Sequence, residues 1–450
     1  MAASTAVPVQ RSTCPERLGD LHNGPVPVTI PPPTELDVLL DRVTPGTDVI
    51  VPMGNGEPVR FLDALEGRAE RLESVRINQM HPFRTREHHS GRFGHRLRHV
   101  SYFLSPTLRA PFAEGHVDLV PNDFHAVPQL MLERAAAPLV VVTTTPPDDR
   151  GMVSMGTTAD YAAALLDRAP VIVEVNARMP RTRGDHTFPL GDADGWFEAD
   201  SDLMEIVGPE PTDADRAIAE FVAERIPNGA SIQTGVGAVP GLVAKLLADH
   251  RDLSVHTELI GDAIMELVDA GAINGRYSTD GTAISTTTSF GTAAFHEWLD
   301  GNELVAFRPV DRTNNPRVIA SEPNVCAINA TMQIDLVGQC ASESLGHHYV
   351  SSTGGQADFL RGAQLSEGGQ SFIVTHSTAL GGEVSRIVNE LSPGAIVTAH
   401  KNLVDKIVTE HGVAELRGRT LGERAAAIIA VAAPQFRDQL TAAARGMGYL

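Results

Sequence analysis

Apolar positions along the chain fall into two patterns, short unbroken runs of β-branched and aliphatic residues and longer stretches with a helical period. Leu139 to Thr145 and Val171 to Val175 are of the first kind, the mark of strands in a parallel sheet covered by helices on both faces. Further strands are expected at Thr47–Val51, His99–Leu104, Ser231–Thr234, Leu253–Thr257, Val325–Ile328, Phe372–Val374 and Ala395–Thr398. Helical period is expected over Glu35–Asp41, through Phe61, Leu62 and Leu65, from Pro240, over Asp262–Ala270 and from about Leu421 onward. Gly208 to Asp215 carries Pro209, Pro211 and a cap at Thr212, and reads as a linker. The expected division is a loosely ordered leader over 1–28, an α/β domain over 29–207, the linker over 208–215 and a second α/β domain over 216–450.

One phrase occurs twice. Pro45-Gly46, a strand, Gly54-x-Gly56-x-Pro58 and an apolar helix are matched by Pro227, Gly229, a strand, Gly235-x-Gly237-x-x-Pro240 and Leu242, Val243 and Leu246. In each copy a second strand and helix follow in the same order, which suggests a duplicated α/β unit. After that second strand the first copy has Ser105 and Pro106, whereas the second has Glu258.

Composition narrows the class. With 42% hydrophobic and 20% charged residues the chain is an ordinary globular protein, and 5% aromatic residues imply an aliphatic core. The net charge of −20 argues against broad nucleic-acid or anionic-membrane binding, so an anionic ligand must be held locally by amides and placed cations. Cys14, Cys326 and Cys340 are too scattered for a disulfide framework or a Cys-x-x-Cys metal site, and no apolar run approaches the roughly 20 residues of a membrane helix. A soluble, cytoplasmic protein is expected.

The strand ends of an open α/β sheet face its ligand crevice, which sets Glu258 opposite the amides of the Gly235–Gly237 turn. A dinucleotide site would use such an acid for a ribose, but Pro240 stands in place of the third glycine. The competing reading makes Glu258 a nucleophile and the turn its oxyanion hole. On spacing alone, an acid that favours a helix N-terminus is the simpler role. Among His81, His88, His89, His95, His99, His347 and His348, only His95 and His99 have i,i+4 spacing, and Arg96 stands where a zinc helix would carry its glutamate. With no third ligand evident, no metal is expected and a surface or loop role is assigned to them.

Several ordered landmarks resemble those of the acetyl-CoA hydrolase/transferase family, and within it the 4-hydroxybutyrate and butyrate:acetate CoA-transferases. They include Pro146-Pro-Asp-Asp-Arg-Gly151, Glu174-Val-Asn176, Gly235-Val-Gly237, His256-Thr-Glu258, Asn314-Asn-Pro316, Gly354-Gly-Gln-Ala-Asp-Phe359 and the segment Val408 to Gly418, across about Pro31 to Gly448. The resemblance implies two similar open, mostly parallel α/β domains of the class I CoA-transferase, NagB-like kind, with the active site in the crevice between them. It implies that Glu258 carries acyl and CoA groups and that amides near Val236 and Gly355 form the oxyanion hole. CoA contacts are implied for Gln233, Thr234, Gly235, Val236, Gly237, Asn329, Met332, Gly354, Gly355, Gly381 and Lys401, although Lys401 could equally be a solvated surface lysine. The partners implied are acyl-CoA and a small carboxylic acid, with no cofactor beyond CoA as substrate, in a homodimer or dimer of dimers. An acyl-CoA hydrolase is the nearest alternative. Glu410 and Arg417 could form a structural ion pair, and Gln333 replaces a glutamate of many relatives, which bears on substrate preference.

Overall fold

In the strand Pro138–Thr144, Leu139 and Val141 enter one apolar layer while Val140 and Val142 enter the other, and all four are buried. That two-sided burial follows from the period of two along a strand with helices on both faces. The computed structural model describes residues 30–235 and 237–450, so the expected leader over 1–28 and Val236 lie outside the described residues.

The strand belongs to the first of two large sheets. In chain order come β1 (Asp48–Ile50), β2 (Val75–Gln79), β3 (Leu97–Ser101), β4 (Val117–Leu119), β5 (Pro138–Thr144), β6 (Val171–Asn176), β7 (Arg183–Gly184) and β8 (Gly195–Ala199). All but β7 form a parallel sheet in the order β8-β6-β5-β1-β2-β3-β4. The second sheet takes β9 (Ser231–Gln233), β10 (Ser254–His256), β11 (Ile284–Thr286), β12 (Val305–Phe307), β13 (Val325–Ala330), β14 (Gln370–Val374), β15 (Lys406–Thr409) and β16 (Gly412–Glu415). Its order is β16-β15-β14-β13-β9-β10-β11-β12-β7, parallel except for the β15–β16 hairpin.

Each half starts at a central strand, steps outward through the next three strands, then returns to build the other side. The repeat of glycine phrases is thus a repeat of topology. In both halves the glycine turn leaves the carboxyl end of the central strand, the place where such sheets bind ligands.

The halves are strapped together. β7, from the first half, pairs with the edge strand β12 of the second, and there Gly184 has φ 137°, a conformation side chains rarely adopt. A Cβ on Gly184 would lie 1.9 Å from the Phe307 carbonyl oxygen. One apolar cluster includes Val140 and Val173 of the first half together with Ile232, Ile284 and Phe372 of the second.

Some expectations are corrected. β3 ends at Ser101, not Leu104, because the Ser101 hydroxyl donates to the Phe103 carbonyl at 2.7 Å and turns the chain. The helix after the glycine turn opens at Ala238; Pro240 falls within its first turn, where a missing N–H costs nothing. Ala395–Thr398 is a loop docked on the Cys340 carbonyl through the amides of Thr398 and Ala399. The helix Asp213–Ala223 begins inside the expected linker, capped by Thr212 with Asp215. His95 and His99 share no helix, and His88, His89 and His99, expected on surface or loops, are buried together because β3 carries His99 under the turn Glu87–Ser90.

Gly184→Ala should destabilise the protein by about 1–3 kcal/mol through strain and backbone collision. Urea or thermal unfolding measures this. Gly67→Ala, whose added methyl meets nothing within 4 Å, is the control that should be near neutral.

Candidate active site

Glu258 follows β10 at the carboxyl edge of the second sheet. Its backbone is fixed before its side chain does anything: the Thr287 and Thr288 amides donate to the Glu258 carbonyl at 3.2 and 2.9 Å. The neighbouring Thr257 hydroxyl donates to the Thr234 carbonyl at 2.8 Å, tying this strand end to the glycine turn. On the side chain, Asn314 Nδ2 donates to Oε2 at 2.8 Å and the Gly355 amide also donates to the carboxylate. Asn314 thus pins Oε2.

Gly355 caps the helix Gln356–Leu365, so the positive end of that helix points at Glu258. A Cβ at Gly355 would fall 1.8 Å from Glu258 Oε2 and 2.4 Å from Asn314 Nδ2, which is why the position must be glycine.

Glu258 is enclosed on most sides yet keeps an open edge. Burial pushes its carboxyl up to about 7; the charge of Asp358 adds to that lift, and the bonds from Asn314 and Gly355 oppose it. Asp358, itself fully buried, takes His125 Nδ1–H at 2.7 Å and the His125 amide at 3.1 Å. His125 belongs to the first half, and its bond to Asp358 holds the imidazole above its ordinary value. Asp358 is itself raised by burial against the counteracting His125.

Most residues singled out from the sequence converge on this edge. Asn329 Nδ2 donates to Gln233 Oε1 at 2.9 Å, and Gln356 Nε2 donates to the Ala330 carbonyl at 3.1 Å, linking the end of β9 to the Gly355 loop. Met332 follows β13 with its amide on the Ala341 carbonyl. Gly354, in the left-handed region at φ 55°, lets the chain turn against Phe103 of the first half. Gly381 sits at the exposed tip beyond β14 with φ 70°. Thr234, Gly235 and Gly237 line a groove of about 560 Å³ that reaches Leu259, Gly261 and Phe290.

One predicted CoA contact falls elsewhere. Lys401 is exposed in the turn before β15, where Gln364, at the far end of the helix capped by Gly355, donates to the adjoining Asn402 carbonyl at 3.1 Å. It stands a helix length from Glu258. Lys245, which sequence reasoning passed over, is the lysine that lines the groove. Glu410 and Arg417 do not pair: Glu410 takes the amide and hydroxyl of Ser377, while Arg417 reaches the Gly369 carbonyl at 3.4 Å. Gln333 accepts from the Ser392 amide at 2.8 Å and so fastens a loop.

The acetyl-CoA hydrolase/transferase N-terminal domain matches residues 40–207 and its C-terminal domain residues 291–444. The chain belongs to the acetyl-CoA hydrolase/transferase family. Within it, a succinyl-CoA:cyclohexane-1-carboxylate CoA transferase of Geobacter metallireducens is 39% identical over 90% of this chain and 93% of its own length. A 4-hydroxybutyrate coenzyme A transferase of Clostridium kluyveri is 39% identical over 86% of this chain and 90% of its own. The crystal structure of a 4-hydroxybutyrate CoA-transferase from Porphyromonas gingivalis superposes with a TM-score of 0.76 at 33% identity, covering 92% of this chain and 96% of that one. A yeast acetyl-CoA hydrolase, from Kluyveromyces lactis, is 29% identical over 54% of this chain and 48% of its own, so this family member lies on the transferase side. Both family segments stop short of Glu258, which lies between them.

Because the Glu258 carboxyl is lifted from 4.5 to about 7, its ionised form accumulates only as pH rises through 7. The rate with limiting acyl-CoA should therefore climb along a limb centred near pH 7. Asn314→Ala removes a donor that favours the ionised form, so its limb should move to higher pH as turnover falls about 10²–10³-fold. The same shift makes the folded state less stable as pH rises from 4.5 to 7, and Glu258→Gln should unfold at a higher temperature than wild type at pH 8 but not at pH 4. Gly355→Ala should lose turnover far more than CoA affinity, measured by steady-state kinetics beside equilibrium binding.

Proposed function

We propose that this CoA-transferase moves CoA from a short-chain acyl-CoA such as acetyl-CoA to a small carboxylate such as 4-hydroxybutyrate, by a ping-pong route through a thioester on Glu258. The observation that carries this reading is a half-open carboxylate at a strand end, held at Oε2 by Asn314, favoured in its ionised form by the Gly355 amide, and pushed by burial up to about 7. Oε1 attacks the acyl thioester, the C–S bond breaks, CoA leaves as thiolate, and a mixed anhydride of Glu258 and the acyl group is formed. The thiolate then attacks the glutamyl carbon and expels the carboxylate of the first acid, which leaves Glu258 as a neutral thioester. The second acid reverses both steps.

Attack on the glutamyl carbon places negative charge on its remaining oxygen, Oε2, where Asn314 Nδ2 and the Gly355 amide already stand. Donors fixed before the reaction need no reorganisation, and losing one typically costs about 3 kcal/mol of barrier. The Gly355 amide is retained from the expected oxyanion hole; a Val236 amide acting on the substrate carbonyl remains part of the proposal. The groove along Thr234, Gly235 and Gly237 suits pantetheine, with Lys245 toward a phosphate. We further propose a cytoplasmic homodimer or dimer of dimers with no cofactor beyond CoA; the buried free thiols of Cys326 and Cys340 fit a reducing compartment.

Glu258→Ala and Glu258→Gln should each lose transfer by roughly 10⁴-fold or more, as expected when a covalent nucleophile is removed. Wild-type enzyme given acyl-CoA alone should hold CoA on Glu258, and borohydride should reduce that thioester and stop activity. Peptide mass mapping that found the adduct on another carboxylate would overturn the assignment. Release of CoA as fast without an acceptor acid as with one would instead favour the hydrolase.

A further inference from the structure

His88 and His89 lie on the turn Glu87–Ser90, and His99 lies on β3; all three side chains are buried, at 1%, 1% and 0% exposure. Each offers a ring nitrogen within 4.8 Å of the others, and theirs is the one such group of three donors among the described residues. The ring centroids stand 4.5, 5.5 and 4.7 Å apart. Three imidazoles on one tetrahedral zinc, with Zn–N near 2.0–2.1 Å, put their nitrogens about 3.4 Å apart and their centroids about 5 Å apart. His88 Nε2 and His99 Nδ1 are separated by 3.4 Å.

The tautomers fit the same centre. Glu66 Oε1 stands 2.6 Å from His88 Nδ1 and also takes the His88 amide at 2.8 Å. That carboxylate draws the ring proton to Nδ1 and leaves the Nε2 lone pair facing His89 and His99, the carboxylate–histidine pairing that orients metal ligands. Without an ion the cluster is poorly satisfied: His89 Nε2 is buried with no hydrogen-bond partner. A surface cavity of about 320 Å³ lined by Asp63, Glu66, Glu87, Arg84 and Arg86 opens beside Glu66.

We propose that His88, His89 and His99 bind a divalent metal ion of the zinc type, with Glu66 orienting His88 and a water completing the tetrahedron. An all-imidazole set selects borderline ions over magnesium or calcium. The ion ties the Glu87–Ser90 turn to β3, the strand that leads to Phe103 and its contact with Gly354. The centre is structural and separate from Glu258.

The test uses tag-free full-length protein stripped with a chelator and titrated with zinc, then with cobalt. The expected result is uptake of about one ion per chain, a higher thermal midpoint and the visible absorption of four-coordinate cobalt. His89→Gln and His99→Gln, checked for folding by circular dichroism, should each lose that uptake, and Glu66→Gln should bind 10- to 100-fold more weakly while keeping the cobalt bands. Substoichiometric uptake by the wild type overturns the proposal. So does uptake with unchanged cobalt bands in both histidine variants, which would mean surface binding.

Discussion

In the proposed reaction the carboxylate of Glu258 must be withdrawn from water, and it must keep enough donors to ionise. Burial and the charge of Asp358 push toward the neutral form, while Asn314 and Gly355 pull the other way, and the balance falls at about 7. Each element nearby serves that balance. The Thr287 and Thr288 amides hold the backbone, the glycine at 355 lets a helix N-terminus approach within bonding distance, and Asn314 is delivered fully buried at the end of the helix Val310–Thr313.

The two halves share an ancestry of shape but not of chemistry. Where the second half has Glu258, the first has Ser105 bonded to Thr107 at 2.8 Å, a turn with no acid in it. The first half instead braces the active one. His125 holds Asp358, Asp123 takes Arg361 Nη1 at 2.8 Å further along the same helix, and the Ser289 amide and hydroxyl reach the Thr157 carbonyl. The helix that carries the Gly355 amide is therefore set by contacts from across the crevice, so the halves cannot shift independently without moving the donor.

Local signals made the fold legible. Runs such as Leu139 to Thr145 have one stable fate in a covered sheet, and the two glycine phrases betrayed the repeated topology. The place of Glu258, at a strand end opposite such a phrase, was legible from spacing; its proposed role rested on the resemblance. Asn314 was visible only as part of a landmark, since its reach to Glu258 spans 56 positions and depends on how two loops meet. The histidine cluster escaped for the same reason: i,i+4 spacing probes one helix, whereas His88 and His99 meet across a turn and a strand. Ala395–Thr398 has strand-like residues, yet beside it only the single bridge between Cys340 and Ala399 forms, against a strand two residues long.

A lifted carboxyl is often read as a general acid, but the proposed covalent route gives it a different meaning. Each unit by which the pKa rises corresponds to about 1.4 kcal/mol of penalty on the charged form relative to the neutral one. The mixed anhydride and the glutamyl thioester are neutral at Glu258, so they escape that penalty. The burial that makes the free carboxylate uncomfortable thus favours its covalent states, and a more basic carboxylate is also a better nucleophile. Asn314 and Gly355 set the limit. Without them ionisation would fail at neutral pH, and with many more donors the carboxylate would be too well solvated to attack.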